Sequence, residues 1–214
     1  MNENQRQIKV EPEKIPLSKI SDKLKTSLKI KRFRNVNCEP IGPPNQCYQN
    51  VHQKVLKDDG EAIYGWKLLK VGGVFREFVH HCIWKSEKGK YVCITKPPNS
   101  VASSKKVAFY ECDDWDWGEG GVGGVPNHMI SIDKRLDISR FRNAQNDWCR
   151  AKKEMLDLLY LRGCGKFGEK KPQSLHKDEE FERLAAQFQE KHSELIKEQA
   201  NYFDSAEVMG IDLH

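Results

Sequence analysis

Apolar and polar positions follow two different periods along the chain, and each change of period marks a predicted element. Apolar residues with a loose helical spacing predict a first helix over residues 15–30. The Pro/Gly-rich sequence EPIGPPNQ (39–46) then predicts a loop. The next residues, CYQNVHQKVLKD (47–58), predict a second helix, because Val51 and Val55 recur four positions apart.

Four runs rich in aromatic and β-branched residues follow the second helix and predict strands. They span 62–71, 74–85, 90–96 and 105–112, and GG, SEKG and PPNS separate them as turn sequences. A helix followed by such a meander indicates an α+β fold. We expect the helix that begins at Cys47 to pack on an antiparallel sheet of about four strands.

The last third of the chain returns to a helical period. Residues 136–163 and 178–203 each carry an apolar stripe, which predicts a C-terminal helical hairpin. Before them, DDWDWGEGGVGGVPNH (113–128) predicts a long loop that covers a site as a lid. We therefore expect three parts, namely a basic and partly helical segment over 1–35, an α+β core over 36–135 and a helical region over 136–214.

Composition narrows the class of protein. The chain has 214 residues, of which 38% are hydrophobic and 31% charged, as in one domain with or without an appendage. No apolar run approaches the roughly 20 residues that a membrane span needs, so we expect no membrane insertion. The seven cysteines are an odd number spread along the chain, which favours reduced thiols and a cytoplasmic location.

Charge adds one candidate interaction. The formal net charge is +5, and basic residues concentrate in KLKTSLKIKRFR, from Lys23 to Arg34. Such a segment serves either as a weak nucleic-acid contact or as a solvated face, and the second use is the more common.

The candidate catalytic residues include one at the start of the second helix. Orphan N–H groups at a helix N-terminus favour a thiolate, which makes Cys47 a candidate nucleophile. A thiol nucleophile also needs an imidazole, and His80 and His81 lie near the end of a predicted strand. Because strand residues alternate, we expect one of the two to face the helix. The following strand offers Cys93 and, after it, Asn99 as an orienting group, but no acid. The competing interpretation is a buried structural thiol.

Five segments of this region together resemble a family of small bacterial and phage domains. They are CYQNVHQ, GEAIYGWKLL, FVHHCIW, GKYVCITKPP and KKVAFYEC. Members of that family begin with Cys-x-x-Asn-Val and continue with a Gly-Trp strand, a His-Ala-Val-Trp strand and a Val-Asp-Ile-Thr-Pro strand. This order of Cys, His and Asp is similar to the papain-like cysteine hydrolases in the broad sense, which include transglutaminase-like and NlpC-type folds. The resemblance covers residues 40–115.

The resemblance implies two roles and shows one departure. It makes Cys47 the nucleophile and His81 the base. Where the family has Asp, this chain has Cys93, and a thiol does not orient an imidazolium as a carboxylate does. Three consequences stay open. Asn99 or Asp113 replaces the acid, the pair works as a slower dyad, or the site is inactive and the domain serves for binding.

The resemblance also implies a reaction class. We expect a thiol hydrolase or acyl transferase that acts on a peptide, amide or thioester and needs no cofactor. The backbone N–H of Cys47 and the side chain of Gln46 are the expected oxyanion donors. The alternative is a catalytically inactive papain-like fold that binds a protein or a nucleic acid.

Two weaker motifs give little support for a zinc site or a phosphate-binding loop. RGCGKFGEKKP (162–172) resembles a degraded SEC-C zinc motif, but Cys164 and His176 make only two of the four ligands that structural zinc needs. GEGGVGGVP (118–126) lacks the Gly-Lys-Ser/Thr ending of a phosphate-binding loop.

Overall fold

The computed structural model describes residues 8–112, 125–164 and 178–213. The described residues fall into two compact units. The first contains 8–112, 128–134 and 210–213, and the second contains 125–127, 135–164 and 178–209. Because the chain leaves the first unit after residue 134 and returns to it at residue 210, the helical unit is an insertion in the sequence of the first.

The first unit combines strands and helices. Its strands are β1 (Val10–Pro12), β2 (Ile30–Gly42), β3 (Glu61–Val71), β4 (Phe75–Lys85), β5 (Tyr91–Thr95), β6 (Lys106–Cys112) and β7 (His128–Ser131). Its helices are α1 (Asp22–Ser27) and α2 (Cys47–Asp58), and a short 3₁₀ turn spans Leu17–Lys19.

Five of these strands close into a ring. β3 pairs with β4 on one edge and with β6 on the other. β2 joins β6 antiparallel and β5 parallel, and the pairing of β5 with β4 completes the ring. The short strands β1 and β7 pair with β3 and β4 respectively. One buried cluster draws on four of the ring strands and consists of Val36, Ile83, Cys93, Val107 and Phe109.

The predicted α+β class is confirmed, but the predicted sheet was too small. The four predicted strands correspond to β3, β4, β5 and β6, yet the sheet has seven strands and is mixed. β2 was missed because its buried and exposed residues do not alternate regularly. Pro40 and Gly42, near the end of β2, lie at a register irregularity, which is where a strand tolerates proline. β1 and β7 have three and four residues, too few to show a period.

The predicted helix over 15–30 was wrong. The region contains the 3₁₀ turn and then α1, a helix of six residues. The Ser21 hydroxyl caps α1 by accepting a hydrogen bond from the Leu24 N–H at 3.3 Å. Lys29 then adopts a positive φ of 52°, which turns the chain into β2. Two short elements separated by such turns imitate the loose spacing of one helix.

α2 lies where it was predicted, and its apolar face explains its position. Val51 is completely buried and packs with Cys47 against Cys82, Val92 and Ile94 of β4 and β5. Burying a valine side chain contributes about 1.5–3 kcal/mol. This contact holds the first turn of α2, which carries Cys47, against the two strands.

β3 and β6 approach closely where the Gly-Trp pair lies. A Cβ atom on Gly65 would come within 2.4 Å of the Tyr110 carbonyl oxygen, so no other residue fits without a shift of the backbone. The next residue, Trp66, is buried and donates its indole N–H to the Leu28 carbonyl at 2.8 Å. Glycine at this place therefore serves the close packing of two strands.

The second unit contains the predicted pair of C-terminal helices. They are α3 (Ser139–Leu161) and α4 (Glu179–Val208). The Trp148 ring of α3 packs on Phe188 and His192 of α4. Asp178 caps α4 by accepting hydrogen bonds from the first backbone N–H groups. None of the helices within the described ranges is long and apolar enough to cross a membrane.

Several sequence predictions lie outside the described residues. They are the Asp113 alternative, the lid and the glycine-rich motif, apart from their last residues, and most of the degraded zinc motif with His176. Cys164 is described and is a buried free thiol.

Candidate active site

Cys47 is the first residue of α2 and lies at the edge of the apolar contact. Its residue exposure is 8%. The preceding residue, Gln46, is the N-cap, but its side chain makes no capping hydrogen bond. Gln46 is exposed.

His81 lies between two thiols. Its Nε2 is 3.2 Å from the Cys93 sulfur, and the Cys47 thiol is near enough to act on the pKa of the ring. The structure therefore brings together Cys47, His81 and Cys93, three residues from α2, β4 and β5.

The two neighbouring histidines lie on opposite faces of β4. His80 is on the face that packs against α2, as Cys82 is, and its Nδ1 is hydrogen bonded to the Tyr48 hydroxyl. His81 is on the other face, as Ile83 is, and contacts Cys93. The alternation of strand residues therefore directs His80 toward the helix.

We call Cys47, His81 and Cys93 the row, and its members carry different charges. Burial alone lowers the pKa of His81, but the neighbouring Cys93 and Cys47 thiols raise it to about 10. The pKa of Cys93 falls to about 3, chiefly because the Cys38 thiol donates a hydrogen bond to it, while burial opposes and His81 assists the shift. At neutral pH Cys93 is therefore a thiolate and His81 is an imidazolium.

His80 has the opposite protonation. Burial, followed by the positive charge of His81, lowers its pKa to about 3, so its ring is neutral at physiological pH. Its Nδ1 accepts the hydrogen bond of the Tyr48 hydroxyl, and its Nε2 is 3.9 Å from the Cys112 sulfur. The Trp66 ring packs edge-on against it. His80 thus fixes the position of the Tyr48 side chain, and Tyr48 is the residue that follows Cys47.

Asn50 organises the loop before α2 and was missed in the sequence. Its amide donates to the Pro43 carbonyl at 2.9 Å and to the Thr95 hydroxyl at 3.0 Å. A Cβ atom on Gly42 would lie 2.3 Å from this side chain. The signal was present, because residues three apart on a helix share a face and Asn50 follows Cys47 by three.

A cleft runs beside the start of α2. It has a volume of about 320 Å³ and is lined by Gln46, Asn50 and Lys54 of the helix and by Ile41, Gly42 and Pro43 of the preceding segment, among others. Gln46 lines this cleft, whereas Cys47 lies one residue further along the chain, in the packed contact.

The remaining predicted residues lie apart from the row. Asn99 is exposed in a turn after β5, while Cys93 of β5 itself contacts His81. In the basic segment, Lys25 pairs with Asp22, and Arg34 pairs with Glu111 and lies 3.8 Å from the centre of the Tyr91 ring. Two of its cations thus have intramolecular partners.

No group of three or more His, Cys, Asp or Glu side chains in the described ranges is arranged to hold a metal ion. Comparison of the chain with family models, with curated proteins and with solved structures gives no match.

Proposed function

We propose that the first unit is a thiol hydrolase or acyl transferase that acts on a peptide, amide or thioester, with Cys47 as nucleophile and His81 as base and acid. The observation that carries this proposal is the 3.2 Å contact of the His81 imidazole with Cys93, together with the effect of the nearby Cys47 thiol on the pKa of the same ring. A nucleophile, a base and a third group that orients the base are the arrangement that covalent catalysis requires.

The row activates Cys47 through the charge of the His81 ring. In the resting state the negative charge is on Cys93 and the His81 ring is protonated. The positive ring beside Cys47 favours the thiolate form of Cys47, because opposite charges attract, and this thiolate is the nucleophile.

The acyl transfer then follows from the positions of the groups. The Cys47 thiolate attacks the carbonyl carbon, and the oxyanion that forms accepts hydrogen bonds from the Cys47 N–H and the Gln46 amide. The His81 imidazolium protonates the leaving group as its bond to carbon breaks. Water or an acceptor nucleophile then cleaves the thioester, and His81 takes the proton from it.

A second candidate function is a binding module on the same fold. The observation that favours it is the burial of Cys47 at 8% exposure among apolar side chains. In that case the row is a structural polar contact, and the cleft beside α2 receives a protein segment without a reaction.

Alkylation of Cys47 tests the two candidates. Wild type and His81→Gln are treated with iodoacetamide at pH 7, and labelling of each cysteine is followed by peptide mass spectrometry. Cys149, a buried thiol of the helical unit, is the internal reference. An activated Cys47 reacts faster than Cys149 and loses about tenfold or more of its rate in His81→Gln.

The matched control is His52→Gln, which removes an imidazole from the same helix and leaves the rate of Cys47 unchanged. Circular dichroism checks that each variant is folded. A Cys47 that stays inert in folded wild type, or that reacts equally in His81→Gln, rejects the enzyme in favour of the binding module.

A further inference from the structure

Cys38 and Cys93 are direct partners across two strands. They are opposite each other in the parallel pairing of β2 with β5. Neighbouring strands are about 4.8 Å apart, and paired residues point to the same side of the sheet. A disulfide bridges Cα atoms that are about 4.4–6.8 Å apart. The register therefore meets the distance requirement of a disulfide without movement of the backbone.

The side chain of Cys38 lies beside that of Cys93. Cys38 packs against the buried cluster that contains Cys93, and each thiol shifts the pKa of the other. Cys93 is 3% exposed, whereas Cys38 is half-buried. One thiol of the pair, Cys93, is therefore in the interior, where it contacts His81, and the other, Cys38, reaches the surface.

We propose that Cys38 and Cys93 form a regulatory disulfide when a small hydroperoxide oxidises the protein, and that this bond withdraws Cys93 from His81. Disulfide formation is independent of the proposed function, while its effect on Cys47 rests on that function. The site is a modification site whose reactant is a peroxide and whose reversal needs a thiol reductant.

The reaction balances within the site. The Cys93 thiolate attacks one peroxide oxygen, the O–O bond breaks, and the released hydroxide takes a proton from His81 to form water. Cys93 is then a sulfenic acid. The Cys38 sulfur attacks the Cys93 sulfur, and the expelled hydroxide takes the Cys38 proton to form a second water. One peroxide is reduced, and two thiols are oxidised to one disulfide.

The chemistry of the pair suits the two roles in this sequence. Hydrogen bonds from Cys38 and charge from His81 keep Cys93 in the thiolate form, which is the form that peroxides oxidise. Cys38 is the adjacent resolving thiol. The bond removes the negative charge that faces His81, so the ring no longer has an anion that holds its proton, and the positive charge beside Cys47 is lost.

The experiment follows both thiols and Cys47 in the full chain. Wild type is treated with hydrogen peroxide, free thiols are blocked, and an unreduced digest is examined by mass spectrometry. We expect a Cys38–Cys93 linked peptide that dithiothreitol separates. Cys38→Ser cannot form it, and Cys82→Ser, which removes a neighbouring buried thiol outside the pair, still forms it. A linkage between other cysteines, or oxidation without any linkage, overturns the proposal.

A second measurement separates this proposal from the proposed function. Labelling of Cys47 by iodoacetamide is compared before oxidation, after oxidation and after reduction. A rate that falls about tenfold on oxidation and returns on reduction supports the regulatory role. A linked peptide with no change in a reactive Cys47 overturns that role. A linked peptide with a Cys47 that is inert throughout rejects the enzyme and leaves the disulfide standing.

Discussion

At the scale of the residue, Cys93 is the distinctive side chain of this protein. Its sulfur contacts His81 at 3.2 Å. Because its pKa is lowered to about 3, it presents a negative charge to the ring over the whole physiological range, as a carboxylate does. A thiolate differs from a carboxylate in one respect, since it can be oxidised.

Replacement of Cys93 separates its charge from its redox chemistry. Cys93→Asp keeps an anion beside His81, so we expect labelling of Cys47 within about threefold of wild type but insensitive to peroxide. Cys93→Ala removes the anion, and we expect labelling to fall about tenfold. Iodoacetamide kinetics read by mass spectrometry provide the measurement. Equal rates in Cys93→Ala and wild type would contradict the orienting role.

At the scale of the element, local sequence patterns predicted the helices and strands whose packing is determined within one segment of the chain. α2, α3, α4 and strands β3 to β6 were found from periodicity and turn residues, since each buries one face within a contiguous segment. β2 was not, because its buried positions depend on partners far along the chain. The same reason hid Cys38. Its contact with Cys93 follows from a parallel register, and a register between distant strands leaves no local pattern.

The site shows the same division. Cys47 was predicted from a helix start and one of His80 and His81 from a strand end, while the choice of His81 came from the resemblance. The contact of His80 with Tyr48 was not predicted, because the residues alone left open which of the two histidines faces the helix and the resemblance selected His81.

The close approach of β3 and β6 gives a prediction for one strand. Gly65→Ala places a methyl group against the Tyr110 carbonyl, and overpacking of this kind costs about 1–3 kcal/mol. Urea denaturation at pH 7.5 measures the loss. Lys70→Ala, a change of similar kind on a less crowded part of β3, should cost less than about 1 kcal/mol. Equal stability of the two variants would contradict the close packing.

At the scale of the whole molecule, the histidines and Cys93 couple folding to pH. The folded pair of His81 and Cys93 holds one proton between about pH 3 and pH 10. The unfolded pair holds two protons below about pH 6.5, one up to about pH 9 and none above it. Stability rises with pH where the unfolded state binds more protons, so this pair contributes a plateau between pH 6.5 and 9 with a fall on either side.

His80 makes the loss of folding stability below about pH 6.5 steeper. Its pKa is lowered to about 3, so its contribution is complete above about pH 6.5 and is lost as the pH falls towards 3. At pH 5.5 these three groups together take up nearly two protons on unfolding, so stability rises steeply with pH there. Urea denaturation from pH 5 to pH 9 measures this slope.

The variant His80→Gln tests the assignment. It removes one of the two titrations, so the slope near pH 5.5 should fall to about half of the wild-type value whatever its effect on stability at pH 8. An unchanged slope would show that His80 does not titrate on unfolding.

The ring of strands has a consequence for synthesis of the chain. β2 leaves the ribosome early, but its partners β5 and β6 follow only after α2, β3 and β4. The hairpin of β3 and β4 can form as soon as it emerges, whereas β2 keeps both edges open until the ring can close. Such late, long-range pairing slows folding. During that interval the nascent protein exposes a strand that is ready to pair with another chain, so this is the stage at which it depends most on chaperones.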